Sequence, residues 1–228
     1  MTCTAPGTAD HATIVGVGWL SDLRAKAYAE HPPWVERYVE GGAGDELSLA
    51  DAPLSWDRIR LRPRVLVDVA DLLAAGRHGL TTSVLGTRVS SPLLVAPSAL
   101  QRAVHADGEV ATAKGAAAAG SLFCMSSRSG RTVEQIAATG ARWWMQAYVL
   151  RDREATESYL RRAAAAGAGA VVLTGDTPAV PRRATQPVGA GSGDGTRVPA
   201  EWVRANLPDR EYRPDDLLQA PDLSEHTI

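Results

Sequence analysis

Two features of the sequence predict an α/β fold built on a parallel sheet. Apolar runs of strand length alternate with helical segments between residues 91 and 183, the spacing that βαβ crossovers require. Each run is apolar along its length and ends in hydrogen-bonding residues, as parallel strands covered on both faces do. Composition agrees. The chain has 228 residues, 45% hydrophobic and 22% charged, ordinary for a globular chain long enough to bury a substantial core.

The elements follow in order. "PPWVERYVEGGAGDELSL" (32–49) reads as a short helix with Pro33 near its start, broken by the Gly41–Gly42 pair. "LTTSVLGTRVSSP" (80–92) reads as a hairpin leading into the first strand, "SPLLVAPSAL" (91–100). "DGEVATAKGAAAAG" (107–120) is a helix, with Asp107 placed to cap its start and Gly120 to end it. "SLFCMSS" (121–127) is the second strand. "TVEQIAATG" (132–140) is the next helix, where Thr132 and Gln135 have capping-box spacing and Gly140 is the stop. "RWWMQAYV" (142–149) is the third strand and "DREATESYLRRAAAAG" (152–167) the third helix. "AVVLTGDTPAVPRR" (170–183) opens as the fourth strand and runs into a hydroxyl, a glycine, a carboxylate and two arginines.

The strand ends carry the functional signal. Pro97, Ser98 and Ala99 end the first strand, Ser126 and Ser127 the second, Gln146 and Tyr148 the third, Thr174 and Asp176 the fourth. Ligands of parallel α/β sheets sit at the carboxyl ends of the strands. Small polar residues also simply begin turns, and for any single position that is the plainer reading. Four consecutive strands ending this way point to a shared ligand. Gln146 and Tyr148, two residues apart, point to one side of their strand. Leu94, Met145 and Val172 are expected on the inward side.

Other function classes find no support. A net charge of -2 gives no electrostatic case for nucleic acid or an acidic membrane surface. Cys3 and Cys124 lie far apart, without a disulfide framework or zinc pattern, and the five histidines (His11, His31, His78, His105, His226) lack ligand spacing. No apolar run approaches a membrane span, and "MTCTAPGTADHA" lacks the basic and apolar regions of a secretory signal. A cytoplasmic protein with neither nucleic-acid nor membrane partner is expected.

The ordered set "YVEGGAGDELSL", "RIRLRPRVLVDVADL", "TTSVLG", "PLLVAPSALQRAVHADGEVATAKGAAAAG", "MSSRS", "WWMQAYVLRDRE" and "VVLTGDTP" resembles the FMN-dependent family that oxidises 2-hydroxy acids. That family includes glycolate oxidase, lactate oxidase, lactate monooxygenase and mandelate dehydrogenase. The resemblance runs from about Trp34 to Arg183. It implies a TIM (β/α)8-type barrel of which the first four βα units are present, preceded by an N-terminal helical segment and hairpin. It also implies FMN at the C-terminal mouth and a small 2-hydroxy acid as substrate. On this reading 1–18 is a poorly ordered N-terminus and 19–90 holds N-terminal helices and a barrel-capping hairpin. Residues 91–183 form the first half of the FMN-binding barrel, and 184–228 a flexible loop and tail.

The resemblance also assigns roles. Pro97, Ser98 and Ala99 match a turn whose backbone approaches the flavin ring, with Ser98 where the family usually has Thr. Ser126 matches a flavin-contacting serine. Gln146 matches the amide on the pyrimidine edge of the isoalloxazine, an edge presenting both donors and acceptors, and Thr174 a hydroxyl near that edge. Tyr38 and Tyr148 match tyrosines lining the substrate site. Arg183 matches an arginine on the substrate side, able to grip a carboxylate bidentately. Asp176 matches the carboxylate that orients a catalytic histidine and stabilises its imidazolium. In the family that histidine takes a proton from the substrate while a hydride equivalent passes to the flavin.

The sequence departs from the family beyond Arg183. A strand-5 lysine, a Ser-x-His-Gly-Gly-Arg-Gln stretch and glycine-rich phosphate loops belong to the family, and the 228 residues contain none of them. The C-terminal half of the barrel is thus missing from this sequence. "GAGSGDG" (189–195) superficially suggests a dinucleotide loop, but no strand precedes it, and a flexible loop is the stronger reading. Gly175, Pro181 and Arg128 stand where the family usually has Val, Gly and, in several members, an aromatic residue. Two readings follow. One is the N-terminal part of a 2-hydroxy-acid oxidoreductase, a homo-oligomer or one completed by a C-terminal half. The other is a catalytically inactive half-barrel serving as a binding or interaction protein. The residues suit an oxidase, a monooxygenase and a dehydrogenase alike.

Overall fold

The structure, a computed structural model, describes residues 20–75, 79–175, 202 and 204–212. Helices α1 (Leu20–Ala29), α2 (Pro33–Glu40), α3 (Leu47–Asp57) and α4 (Ala70–Ala75) come first. Pro33 opens α2, where its missing N–H leaves no bond unmade, and the Gly41 N–H closes the helix on the Arg37 carbonyl at 3.1 Å. Tyr28 Oη and Arg24 both reach Glu40, joining α1 to α2. Helix α3 follows the Gly41–Gly42 break and runs through Pro53, an element the sequence pattern does not announce.

Strands β1 (Thr82–Val84) and β2 (Thr87–Val89) form the antiparallel hairpin expected over 80–92. Leu85 and Gly86 join them with φ of 45° and 75°, the two-residue turn whose twist matches that of the strands.

The parallel sheet has the order β3-β4-β5 among the described residues: β3 (Leu122–Met125), β4 (Arg142–Ala147) and β5 (Val171–Leu173). Helix α5 (Glu109–Ala118) precedes it, while α6 (Val133–Ala137) and α7 (Arg153–Ala165) make the crossovers. The capping box of α6 is formed: Thr132 Oγ1 accepts from the Gln135 N–H at 3.3 Å, and Gln135 Oε1 accepts from the Thr132 N–H at 3.0 Å. Asp152 Oδ1 caps α7 through the Ala155 N–H at 2.9 Å. Gly140 and Gly167 follow these helices with φ of 73° and 90°, a conformation open to glycine.

Side chains alternate across the sheet. Phe123, Met125, Trp143, Met145 and Ala147 pack beneath the helices against Ala113, Ile136, Ala155 and Tyr159. Leu122, Cys124 and Trp144 occupy the other face with Val89 and Val172. The period of two corrects one expectation. Met145 lies between Trp144 and Gln146, so it faces the helices, fully buried, while Val172 is on the opposite side.

Three further corrections concern backbone. The expected first strand, 91–100, contracts to one bridging residue, Val95. Its N–H donates to the Leu122 carbonyl and its own carbonyl accepts from the Cys124 N–H, both at 2.9 Å. Pro92 and Pro97 bracket this stretch and can donate nothing to a ladder, and Leu93 and Leu94 stay exposed. Asp107 does not cap α5. The cap position is Gly108, with φ 53° and no side-chain bond, while the Asp107 N–H donates to His105 Nδ1 at 3.1 Å. Finally, within the segment expected as flexible loop and tail, residues 204–212 are docked. Asn206 is buried, and Arg210 pairs with Asp152 and Glu154. The expected N-terminal tail, 1–18, lies outside the described residues.

Candidate functional site

The C-terminal ends of β3, β4 and β5 are joined by a chain of side-chain hydrogen bonds. The register sets Gln146 of β4 opposite Val172 of β5, so its side chain leaves the sheet on the face of Trp144 and Cys124. Gln146 Oε1 accepts from the Ser127 N–H at 3.0 Å and from Ser127 Oγ at 3.2 Å. Gln146 Nε2 donates to Thr174 Oγ1 at 3.0 Å. A primary amide has two donor hydrogens and two acceptor lone pairs. Gln146 is 2% exposed, its oxygen fully used and one N–H of its nitrogen still able to donate.

Ser126 plays a different local part. Its Oγ accepts from the Arg128 N–H at 3.1 Å and turns the chain out of β3, leaving its O–H as a donor. The Arg128 guanidinium lies 5.9 Å from the centre of the Tyr148 ring. Tyr148 is one residue beyond β4, and its carbonyl accepts from Tyr159 Oη at 2.6 Å. Behind the site, burial pushes the Cys124 thiol up to about 11. It is therefore protonated at neutral pH and no nucleophile.

Among the residues the sequence points to, the structure thus joins Gln146 and Thr174 directly, sets Ser126 in the turn beside Ser127, and leaves Tyr148 against the helix-side core with Arg128 near its ring. Pro97, Ser98 and Ala99 lie in the loop after Val95, and the Ser98 carbonyl accepts from Gln101 Nε2 at 3.2 Å. Tyr38 stands on α2, 41% exposed. Asp176 and Arg183 lie outside the described residues. Ser127 is the residue that sequence logic undervalued. The Ser126–Ser127 pair at a strand end was its signal, and the second serine, not the first, binds the amide.

This donor set is uncharged: an amide, hydroxyls and backbone. It suits a planar heterocycle edge that offers both donors and acceptors, such as the pyrimidine edge of a flavin, better than a bare anion or a metal ion. Among the described residues no group of three or more His, Cys, Asp or Glu could hold a metal, and no helix is long and apolar enough to cross a membrane.

A parallel α/β sheet with uncharged polar groups gathered at its strand ends is a framework for binding a cofactor or substrate at that edge. The family model described as FMN-dependent dehydrogenase matches residues 27–221, and the chain belongs to that family. Glycolate oxidase 1 of Zea mays is 41% identical over 165 residues, covering 72% of this chain and 43% of the relative. L-lactate oxidase of a Nostoc species is 42% identical over 151 residues, covering 64% of this chain and 40% of the relative. A structure of mandelate oxidase with benzoyl-formic acid superposes with a TM-score of 0.72 at 32% identity, covering 88% of this chain and 55% of that one. The chain therefore spans about half the length of the relatives it matches.

Proposed function

We propose that this chain forms the flavin-ring and substrate side of an enzyme that oxidises a small 2-hydroxy acid, of the lactate, glycolate or mandelate type, to the 2-oxo acid. The observation that carries the reading is the bond chain Ser127–Gln146–Thr174 across three consecutive strand ends. FMN, when bound, would supply the two-electron acceptor. Gln146, Ser126 and Thr174 would hold the ring edge, with the Pro97–Ala99 backbone beside it. Gln146 is held by neighbours on both sides, so its amide is oriented before any ligand arrives, and little ordering cost remains on binding.

Tyr38, Tyr148 and Arg183 would surround the substrate. A guanidinium would bind the 2-hydroxy acid through its carboxylate, and with contacts to the substrate's other groups it would orient the reacting carbon. Asp176 would act on a histidine supplied from outside these 228 residues. A carboxylate beside an imidazole fixes its tautomer and favours its protonated form, as a base receiving the substrate proton requires. Oligomerisation, or completion of the barrel by further polypeptide, belongs to the same proposal, as does a cytoplasmic site of action.

The test uses a polypeptide of the full length of the relatives. It is mixed anaerobically with glycolate, lactate and mandelate while the visible absorbance of bound flavin is followed. Loss of that absorbance with at least one acid, and not with the matching 2-oxo acid, is expected. Flavin that no 2-hydroxy acid reduces would overturn the reading.

A further inference from the structure

We propose that Asn206 is a positioning residue for the strand-end site, holding the loop that presents Ser126, Ser127 and Arg128 from a point about eighty residues away along the chain. The meaning of that site rests on the reading above; the hold itself is a property of these residues.

Asn206 is 0% exposed, and its side chain uses both ends. Oδ1 accepts from the Val133 N–H at 2.9 Å, one of the donors that the start of a helix leaves unmatched. Nδ2 donates to the Arg131 carbonyl at 3.0 Å. A continuous path runs from there to the site. Ser129 Oγ donates to the same Arg131 carbonyl at 3.1 Å, and the Ser129 N–H donates to the Ser126 carbonyl at 3.2 Å. The Ser127 N–H then reaches Gln146 Oε1 at 3.0 Å. Ser129 is as deeply buried as Asn206, so water cannot readily replace these bonds.

The loop is gripped on its other flank as well. The Gly130 N–H donates to Glu109 Oε1 at 3.3 Å. A Cβ at Gly130 would lie 3.0 Å from the Trp202 backbone and 2.7 Å from Arg102 Cδ, so any larger residue would push Arg102 and the Trp202 backbone aside. Arg102 in turn lies 5.6 Å from the Trp202 ring. Asn206 is itself fastened: Arg162 Nη1 donates to its carbonyl at 3.1 Å while the same guanidinium binds Glu134 at 3.1 and 2.9 Å. Nothing else on α6 or α7 duplicates the two Asn206 side-chain bonds to Arg131 and Val133 among the bonds of the described residues.

Residue-resolved amide hydrogen exchange on a polypeptide of the relatives' full length, with neither flavin nor substrate added, tests this, so it can fail while the functional reading stands, and the reverse. In Asn206→Ala, exchange of the Ser127, Arg128, Gly130 and Arg131 amides should rise about tenfold or more, as expected for losing two buried hydrogen bonds. The Met125 and Met145 amides, deep in the sheet, should not change. An equal rise at all of them would make Asn206 a residue of general stability only, and no rise at 127–131 would remove the hold; either overturns the proposal. Should that variant fail to fold, Arg162→Met releases the Asn206 carbonyl and leaves its side chain in place. Exchange at Ala205–Leu207 and at 127–131 should then rise together, and a rise confined to 205–207 overturns the proposal.

Discussion

Gln146 shows how one buried side chain decides a site. Its carbonyl oxygen is satisfied by Ser127 and one of its N–H groups by Thr174, so it can turn only as those neighbours allow. Tyr148 lies just beyond the strand end and is held differently, against the helix-side core, by its carbonyl's bond from Tyr159 Oη and by Arg128 near its ring. On the proposed reading, Gln146 serves the cofactor and Tyr148 the substrate. In a polypeptide of the relatives' full length, Tyr148→Phe should leave flavin content near that of the parent and alter substrate oxidation; flavin loss in that variant would reverse the assignment. Asp176→Asn should lower turnover far more than flavin content, because a carboxylate that acts through a histidine matters most as the imidazolium forms. Unchanged kcat in Asp176→Asn would remove it from that role.

At the scale of elements, the sequence signals hold where the chemistry is local. Thr132 and Gln135 close the α6 capping box, and Asp152 caps α7, because each bond spans only three residues. Replacing Thr132 by Ala should cost about 1 kcal/mol, measured as a lowered denaturant midpoint with an unchanged slope. No change in midpoint would mean that Asn206, which already takes the Val133 N–H, suffices to start the helix. The start of α5 departs from its sequence signal for a related reason. Asp107 has the right chemistry, but the turn through His105 and Gly108 moves the cap one residue on. The expected first strand shrinks to a single bridge because apolar content alone does not make a ladder: Pro92 and Pro97 leave only Val95 to bridge β3. Met145 faces the helices because the same period of two sends its neighbour Gln146 to the other face. The docking of Asn206 was beyond local reading altogether. Its partners lie 73 and 75 residues away in sequence, and no propensity encodes such a separation.

At the scale of the whole molecule, the described sheet has open surfaces. Val171 and Leu173 on β5 are 54% and 53% exposed, Leu93 and Leu94 are uncovered beside Val95, and Ile59, Leu61, Val65 and Leu66 meet solvent. Burying one large apolar side chain contributes roughly 1.5–3 kcal/mol against a usual stability margin of about 5–15 kcal/mol, so several uncovered ones weigh heavily. Among the described residues β5 pairs only with β4, and such a sheet edge offers backbone groups to another chain. The 228 residues expressed alone should therefore be oligomeric or aggregation-prone on size-exclusion chromatography, without stoichiometric FMN. A stable yellow monomer would show that these surfaces are tolerated and that the flavin needs no more protein than this. The central claim, that the strand-end amide holds the flavin ring, is tested most directly by the FMN dissociation constant of Gln146→Ala in a polypeptide of the relatives' full length. Loss of the amide's bond to the ring edge, worth about 0.5–1.5 kcal/mol, together with the loosening of Ser127 and Thr174, should raise Kd by about tenfold. An unchanged Kd in a variant that folds as the parent does would contradict it.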